Sequence, residues 1–237
     1  ATNWCGHQEV NDQAVSDLFD CLNRVKIKKM IFFSTASILG QGNVLLDSAM
    51  TFGTDYVRSK YKSYIDLTNS PWHDKIIHVF PTVILSGDDT HPYSHIGEGL
   101  QKIRTSMGWA RFFSFDLGFH FIHGQDIARI VKYLLENDVP DRDYVLGNDY
   151  ITVRQFIRHV AKVLGKRVWF QIAIPTWCVR LVIKIFNIRV EPWAAFCIRY
   201  RHFRYTTVNC KTFGLQSTLN TVEGVMKSIK VAPEAVL

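Results

Sequence analysis

The chain lacks the cysteine spacing of a metal or redox centre. Its five cysteines (Cys5, Cys21, Cys178, Cys197 and Cys210) are odd in number and include no Cys-x-x-Cys. A zinc site and a disulfide framework are therefore both disfavoured, no metal ligands are assigned, and a reducing, cytoplasmic setting fits best. No apolar run reaches the ~18 residues of a membrane-spanning helix. Internal repeats and low-complexity segments are absent, which removes solenoids and biased linkers from the candidates. A glycine-rich phosphate turn is missing as well. Gly97-x-Gly99 has no third glycine and follows no apolar strand, and Gly40-x-Gly42 fails in the same way.

What is present describes a packed globular protein. The 237 residues are 47% apolar and 13% aromatic, enough for one large or two small domains. The net charge of +7 is modest, and no nucleic-acid module accompanies it, so no nucleic-acid partner is expected. The pattern reads helix (about Asn11 to Val25), strand (Lys29 to Ser34), helix (Thr54 to Leu67) and strand (Ile76 to Leu85). A loop-rich stretch from Gly87 to Gly118 follows, then a strand at Phe119 to His123, a helix from Gln125 to Asn137 and a strand at Asp143 to Leu146. Such alternation predicts α/β architecture with a parallel sheet. Thr152 to Leu164 reads as an amphipathic helix with Thr152 as cap and Gly165 as stop.

Two segments carry chemistry. Met30-Ile31-Phe32-Phe33-Ser34-Thr35-Ala36-Ser37-Ile38-Leu39-Gly40 begins with a short apolar run, expected to be a buried parallel strand. It ends in hydroxyls, at the strand end where open α/β sheets place ligands. Tyr56-Val57-Arg58-Ser59-Lys60 sets a phenol and an ammonium four residues apart, on one helix face. Nine tyrosines in a lysine-rich chain make that spacing alone weak, and taken alone a solvated helix face explains it better. Together with the strand, the pair supplies a hydroxyl, a phenol and an ammonium for moving a proton on and off a carbinol oxygen. A free phenol titrates near pH 10, and a neighbouring cation favours phenolate.

These residues resemble the extended short-chain dehydrogenase/reductase family, which holds NAD-dependent nucleotide-sugar epimerases and dehydratases and 3β-hydroxysteroid dehydrogenase-like enzymes. Its catalytic Ser or Thr stands five residues before a Gly, here Thr35 before Gly40, and its Tyr-x-x-Ser-Lys matches Tyr56, Ser59 and Lys60. Pro81-Thr82-Val83-Ile84-Leu85-Ser86-Gly87 resembles the strand end that meets the nicotinamide, and Phe121-Ile122-His123-Gly124-Gln125-Asp126-Ile127-Ala128 a later family segment. Val10-Asn11, with Leu18 and Cys21, resembles the helix after the fourth strand, and Ala1-Thr2 the residues just after that strand. The resemblance weakens after Pro175.

It implies a partial Rossmann-type doubly wound parallel sheet over residues 1–148, with a substrate-region insertion at about 87–118, and a smaller C-terminal substrate-binding region over 149–237. It implies NAD or NADP as cofactor, catalytic Thr35, Tyr56 and Lys60, and cofactor contacts from Ala1, Ser34, Tyr56, Lys60, Pro81, Thr82, Val83 and Ile84. The missing glycine-rich turn leads to the expectation of a sequence that starts partway through the cofactor domain, leaving the selector between NAD and NADP unread.

Within the family, dehydratases carry an acidic pair directly after the catalytic Thr. Ala36-Ser37 stand there instead, which disfavours dehydration. The apolar Pro175 to Ile188 segment resembles the longer C-terminal region of steroid-type enzymes and tilts the substrate from a nucleotide sugar toward a hydrophobic alcohol or ketone. A non-catalytic scaffold that kept the fold is the rival from another class. Ile198-Arg199-Tyr200-Arg201-His202-Phe203-Arg204-Tyr205 interleaves basic and aromatic residues, and three readings stay open: charges facing water, a clamp on an anionic substrate, and peripheral membrane contact together with Trp177 to Ile188. A homodimer through the first two helices is a further expectation, from Tyr61, Tyr64, Ile65 and Leu67. His123 is expected to pack at a strand end and Asp126 to cap the helix that follows.

Overall fold

The computed structural model describes residues 14–86, 106–187 and 189–228. Ala1, Cys5, the Val10-Asn11 pair, Gly97, Gly99, Ile188 and most of the 87–118 stretch lie outside the described residues.

Helix α1 (Ala14–Cys21) leads into strand β1 (Met30–Phe33). Helices α2 (Asp47–Phe52) and α3 (Asp55–Thr68) follow, and then strand β2 (Ile76–Pro81), buried along its whole length. Strand β3 (Val83–Ile84) continues the chain. Next among the described residues come β4 (Phe113–Phe115), β5 (Gly118–Phe119), β6 (Phe121–Ile122), helix α4 (Gly124–Glu136) and β7 (Asp143–Leu146). The last third holds β8 (Ile151–Thr152), α5 (Val153–Val163), β9 (Ile172–Ile174), α6 (Thr176–Ile185), α7 (Pro192–Tyr200) and α8 (Val222–Ser228).

Strands β1, β2 and β7 form a parallel sheet in that order, with Met30 opposite Ile76 and His78 opposite Asp143. The two-residue strand period divides β2 between two cores. Ile77 and Val79 pack with Ile127, Ile130 and Leu134 of α4, whereas Phe80 packs with Ala49 of α2 and Val57 of α3. Helices thus cover both faces, the doubly wound α/β class expected from the alternation. A third cluster joins α5 and α8 through Phe156, Val160, Val222 and Val225.

Four local readings change. Strand β1 was expected to be buried, yet it is an edge strand among the described residues, and Phe33 is 44% exposed. The single strand expected from Ile76 to Leu85 breaks at Thr82. Pro81 has no N–H to donate, both the N–H and the hydroxyl of Thr82 bond the Leu146 carbonyl, and Val83 then switches to the His120 carbonyl. Helix α4 is capped by His123, whose Nδ1 accepts from Gln125 N at 3.2 Å, and not by Asp126. Asp126 is instead a buried anchor, bonded to Arg129 and Ser217. On α3, Leu67 is buried and Tyr61 and Tyr64 pack against the core, so the apolar surplus behind the dimer expectation is largely spent within the chain.

Helix α5 matches its sequence signature, with reciprocal Thr152 and Gln155 bonds at its start and Gly165 at φ +66° beyond its end. Helix α6 leaves Trp177, Leu181 and Ile185 exposed, a stripe at i, i+4 and i+8. No helix among the described residues is long and apolar enough to cross a membrane.

Candidate active site

The sheet delivers Thr35 to its carboxyl end. Ser34 N donates to the Val79 carbonyl at 2.9 Å, holding the chain on β2 one residue past β1. Thr35 stays extended, and its hydroxyl accepts from Ser37 N at 3.3 Å to cap a short 3-10 turn at Ala36–Ile38. Helix α3 arrives at the same end. Thr54 caps it by accepting from Val57 N, and Gly53 separates it from α2. A Cβ at Gly53 would lie 2.0 Å from the Ala49 carbonyl oxygen, so a side chain there would move the start of α3.

The first turn of α3 holds Tyr56 and the second Lys60. Tyr56 is hydrogen-bonded to the Thr35 side chain. Lys60 Nζ donates to the Phe33 carbonyl at 3.1 Å and lies 6.0 Å from the centre of the Tyr56 ring. The three residues read as catalytic from the sequence are therefore brought together. Ser59 is not part of this group: its buried hydroxyl donates to the Tyr56 carbonyl at 2.9 Å, a bond within the helix.

Burial pushes the Tyr56 phenol above its ordinary value, and the Thr35 hydrogen bond pulls it part of the way back. Burial pushes the Lys60 ammonium down. Both shifts favour the neutral forms, so the phenol rests protonated and 41% exposed, ready to donate. The expected lowering of the phenol by Lys60 is not found: burial dominates, and the opposing cause is Thr35.

Thr35 lines a cavity of about 230 Å³ with Pro81, Thr82, Val83, His120, Trp193, Phe203 and Tyr205 among its walls. Tyr56 lines a second, more open space of about 620 Å³, and Trp193 borders both. Of the residues read as cofactor contacts, Ser34 is 5% exposed and its hydroxyl has no partner among the described residues. Pro81, Thr82 and Val83 face the cavity, Ile84 sits on β3 opposite Ile122, and Ala1 lies outside the described residues.

Sequence reading missed His120, Trp193, Cys197, Phe203 and Tyr205. His120 is held as one tautomer, with Nδ1 donating to the Asn148 carbonyl at 2.8 Å and Nε2 accepting from Tyr205 N at 3.2 Å. Burial is the main cause pushing its pKa down. Tyr205 donates its hydroxyl to the Ala36 carbonyl at 2.9 Å, tying this wall to the Thr35 segment. The signal lay in the basic and aromatic run Ile198 to Tyr205, whose aromatics Phe203 and Tyr205 turn inward. Two of its three arginines are engaged within the chain, Arg201 with Asp116 at 2.7 Å and Arg204 over the Tyr150 ring at 4.3 Å.

A strained turn sets that geometry. Arg201 has φ +64° and ψ −49°, and His202 N donates to the Tyr200 carbonyl at 2.8 Å, a γ-turn of the rare positive-φ kind. Asp116 holds the turn through Arg201 and lies 3.2 Å from His202 Nε2, while Tyr150 bonds His202 Nδ1 at 2.6 Å. The Tyr150 hydroxyl occupies the space that a Cβ on Gly118 would fill, 1.9 Å away.

No protein-family model matches the sequence, and no curated protein matches it significantly. Solved structures do match the fold. A nucleoside-diphosphate-sugar epimerase from Pseudomonas aeruginosa aligns over 94% of this chain and 72% of its own at 13% identity, with a TM-score of 0.64. The Bordetella bronchiseptica enzyme WbmG, in complex with NAD and UDP, aligns over 96% of this chain and 67% of its own at 11% identity, with a TM-score of 0.61. The dTDP-glucose 4,6-dehydratase of Bacillus anthracis, in complex with NAD, gives 97%, 69%, 12% and 0.62 for the same quantities. The chain has their Rossmann-like α/β fold.

Proposed function

We propose that the protein is an NAD(P)-dependent oxidoreductase of the extended short-chain dehydrogenase type, acting on a CH–OH or C=O group. The observation that carries this reading is the convergence of Thr35, Tyr56 and Lys60 at the carboxyl end of a parallel sheet, with Tyr56 bonded to Thr35. A dinucleotide fits the residues present: the buried Ser34 hydroxyl has no partner among the described residues, and Lys60 reaches the same strand end. Ser34, Tyr56, Lys60 and the Pro81 to Ile84 segment would hold the nicotinamide and its ribose. When bound, that group takes or supplies the hydride at the substrate carbon.

The protein's own part is proton transfer and orientation. The substrate oxygen would accept from the Thr35 hydroxyl and sit within hydrogen-bond reach of Tyr56. In reduction, Tyr56 gives its proton to the developing alkoxide. In oxidation, Tyr56 must first be phenolate, and the Lys60 ammonium, while charged, stabilises that form. Because the folded phenol titrates above its ordinary value of 10, oxidation should speed up as pH rises through the alkaline range. Reduction should hold through neutral pH and fall only as the phenol ionises. Opposite limbs in the two directions are the expected profiles, and an oxidation rate independent of pH between neutrality and pH 10 would remove Tyr56 from the proton step.

Lys60→Met should weaken dinucleotide binding to the full protein by about tenfold or more, the loss of one charged hydrogen-bond donor, and move the alkaline limb of oxidation higher still. Calorimetric titration of wild type and variant with NAD and NADP tests this. Unchanged affinity with an unchanged profile would put Lys60 on a solvated helix face.

The exposed Trp177, Leu181 and Ile185 stripe supports a second feature of the proposal, peripheral contact with a lipid surface. Co-sedimentation with anionic phospholipid vesicles should retain the wild type and lose the Leu181→Ser/Ile185→Ser double variant. Equal retention of the two proteins would sink that feature.

A further inference from the structure

We infer that strand β4 and residues 165–174 form a docking face for an anionic phospholipid surface, with a basic groove at the end of α5 taking the phosphate headgroups. This rests on the lipid contact proposed above for α6, and adds the charge of the lipid and the side chains that select it. It does not depend on the oxidoreductase chemistry.

The groove is built by the way α5 ends. Arg158 and Lys162 stand four residues apart on one helix face. Gly165, at φ +66°, then reverses the chain, and Lys166 N donates back to the Ala161 carbonyl at 2.8 Å. That closure sets Lys166 and Arg167 beside the last turn of the helix. The four cations line one open groove of about 530 Å³ together with Gly165 and Val168. Val168 packs on the core between α5 and α8, which holds the groove in place. The carboxylate near this end, Glu223, is bonded to His159 at 2.6 Å and lies within electrostatic reach of Lys162. Among the described residues no carboxylate forms an ion pair with Arg158, Lys166 or Arg167. Four cations gathered around so little counter-charge repel one another, and phosphate groups laid along the groove relieve that repulsion.

The chain leaves the groove directly into apolar surface. Trp169 is 78% exposed, and Phe170 and Ile172 are exposed after it. Strand β9 pairs with β4 in parallel, with Phe113 opposite Ile172. Paired residues project from the same side of a ladder, and here Phe113, Phe115 and Ile172 are exposed whereas Ser114 is buried. Trp109, 82% exposed, precedes β4. With the α6 stripe included, half of the large apolar side chains exposed among the described residues fall within 109–115 and 169–186. Arg154, one turn before Arg158 on α5, donates to the Gln171 carbonyl at 3.1 Å and ties the basic helix to the apolar ribbon. Exposed tryptophans beside a cationic rim suit the boundary of an anionic membrane, where rings enter the acyl edge and cations meet the headgroups. The aliphatic Ile172, Leu181 and Ile185 offer no ring for a base to stack on, which favours lipid over single-stranded nucleic acid.

Vesicles of two compositions separate charge from apolar contact. The full protein is co-sedimented with vesicles of phosphatidylcholine alone and with vesicles that also contain phosphatidylserine, and a thymidine oligonucleotide is added as competitor. Wild type should prefer the anionic vesicles by about tenfold or more, and lose that preference at about 1 M salt, where charges are screened within ~3 Å. A basic residue near an anionic surface contributes about fivefold in affinity. Lys166→Gln/Arg167→Gln should therefore bind the anionic vesicles roughly 25-fold more weakly, with binding to the neutral ones unchanged. Arg158→Gln/Lys162→Gln should do the same, a second pair on a different element in case one variant fails to fold. Trp109→Ser/Trp169→Ser should weaken binding to both compositions. Equal wild-type binding to the two vesicle types would overturn the inference. So would wild-type affinity for anionic vesicles in both glutamine variants, or displacement of the vesicles by the oligonucleotide. Loss of binding by Leu181→Ser/Ile185→Ser alone, with the glutamine variants unaffected, would remove the headgroup groove and leave the α6 contact standing. Wild type left in the supernatant by both vesicle types would sink the two together.

Discussion

Replacing Tyr56 by Phe should lower turnover in both directions by about 10²–10⁴-fold, the usual contribution of a positioned acid or base, with dinucleotide affinity nearly unchanged. The substitution removes one oxygen from a ring that is partly exposed and held by its helix, so the fold has little reason to change. The same change removes the hydrogen bond to Thr35. Thr35→Val should therefore also lose rate, but less, because it removes only an orienting donor and leaves the proton source. Steady-state rates of both variants with cyclohexanone and reduced dinucleotide check the order. Wild-type kcat in Tyr56→Phe would mean that the proton comes from elsewhere.

Asp126→Ala should be the most damaging of these substitutions to stability while leaving the chemistry alone. Asp126 is 1% exposed, receives Arg129 at 2.9 Å, and lies 2.8 and 2.7 Å from the Ser217 hydroxyl through its two oxygens. Ser217 in turn accepts from Leu219 N at 2.9 Å, so the carboxylate anchors the segment that leads into α8. Arg129 is half exposed and can turn to water, whereas the half-buried Ser217 hydroxyl loses the acceptor it donates to. The expected cost is about 2–4 kcal/mol, read as a fall in Tm of roughly 5–15 °C, with Asp126→Asn intermediate. A Tm within a degree of wild type would show that the Ser217 anchor contributes nothing.

Asp126 also illustrates what the sequence did not disclose. From its neighbours alone it reads as a helix cap, and only the approach of Ser217, ninety-one positions away, gives it a different task. Tyr56 and Lys60 were legible as one helix face from their spacing, and Thr35 as a strand end, whereas their joint role was what the family resemblance implied. The core pattern was legible from spacing too, as in α5 with its Thr152 cap. The Thr82 break was hidden because it depends on the competing pulls of Leu146 and His120. The pairing of β4 with β9 was hidden because each has only three residues and their partners lie far apart. The inward turn of Phe203 and Tyr205 follows from a positive φ at Arg201, a residue type that gives no warning of it.

The most direct measurement of the central claim is isotope transfer. The full protein is incubated with cyclohexanone and with NADH or NADPH deuterated at the transferable position, and the product is examined by mass spectrometry. The account predicts one deuterium on the carbinol carbon with at least one of the two cofactors, and a slower appearance of labelled product, by about 10²-fold or more, in Tyr56→Phe. Cyclohexanol formed without the label would contradict hydride transfer at this site, as would labelled product formed equally fast by the variant.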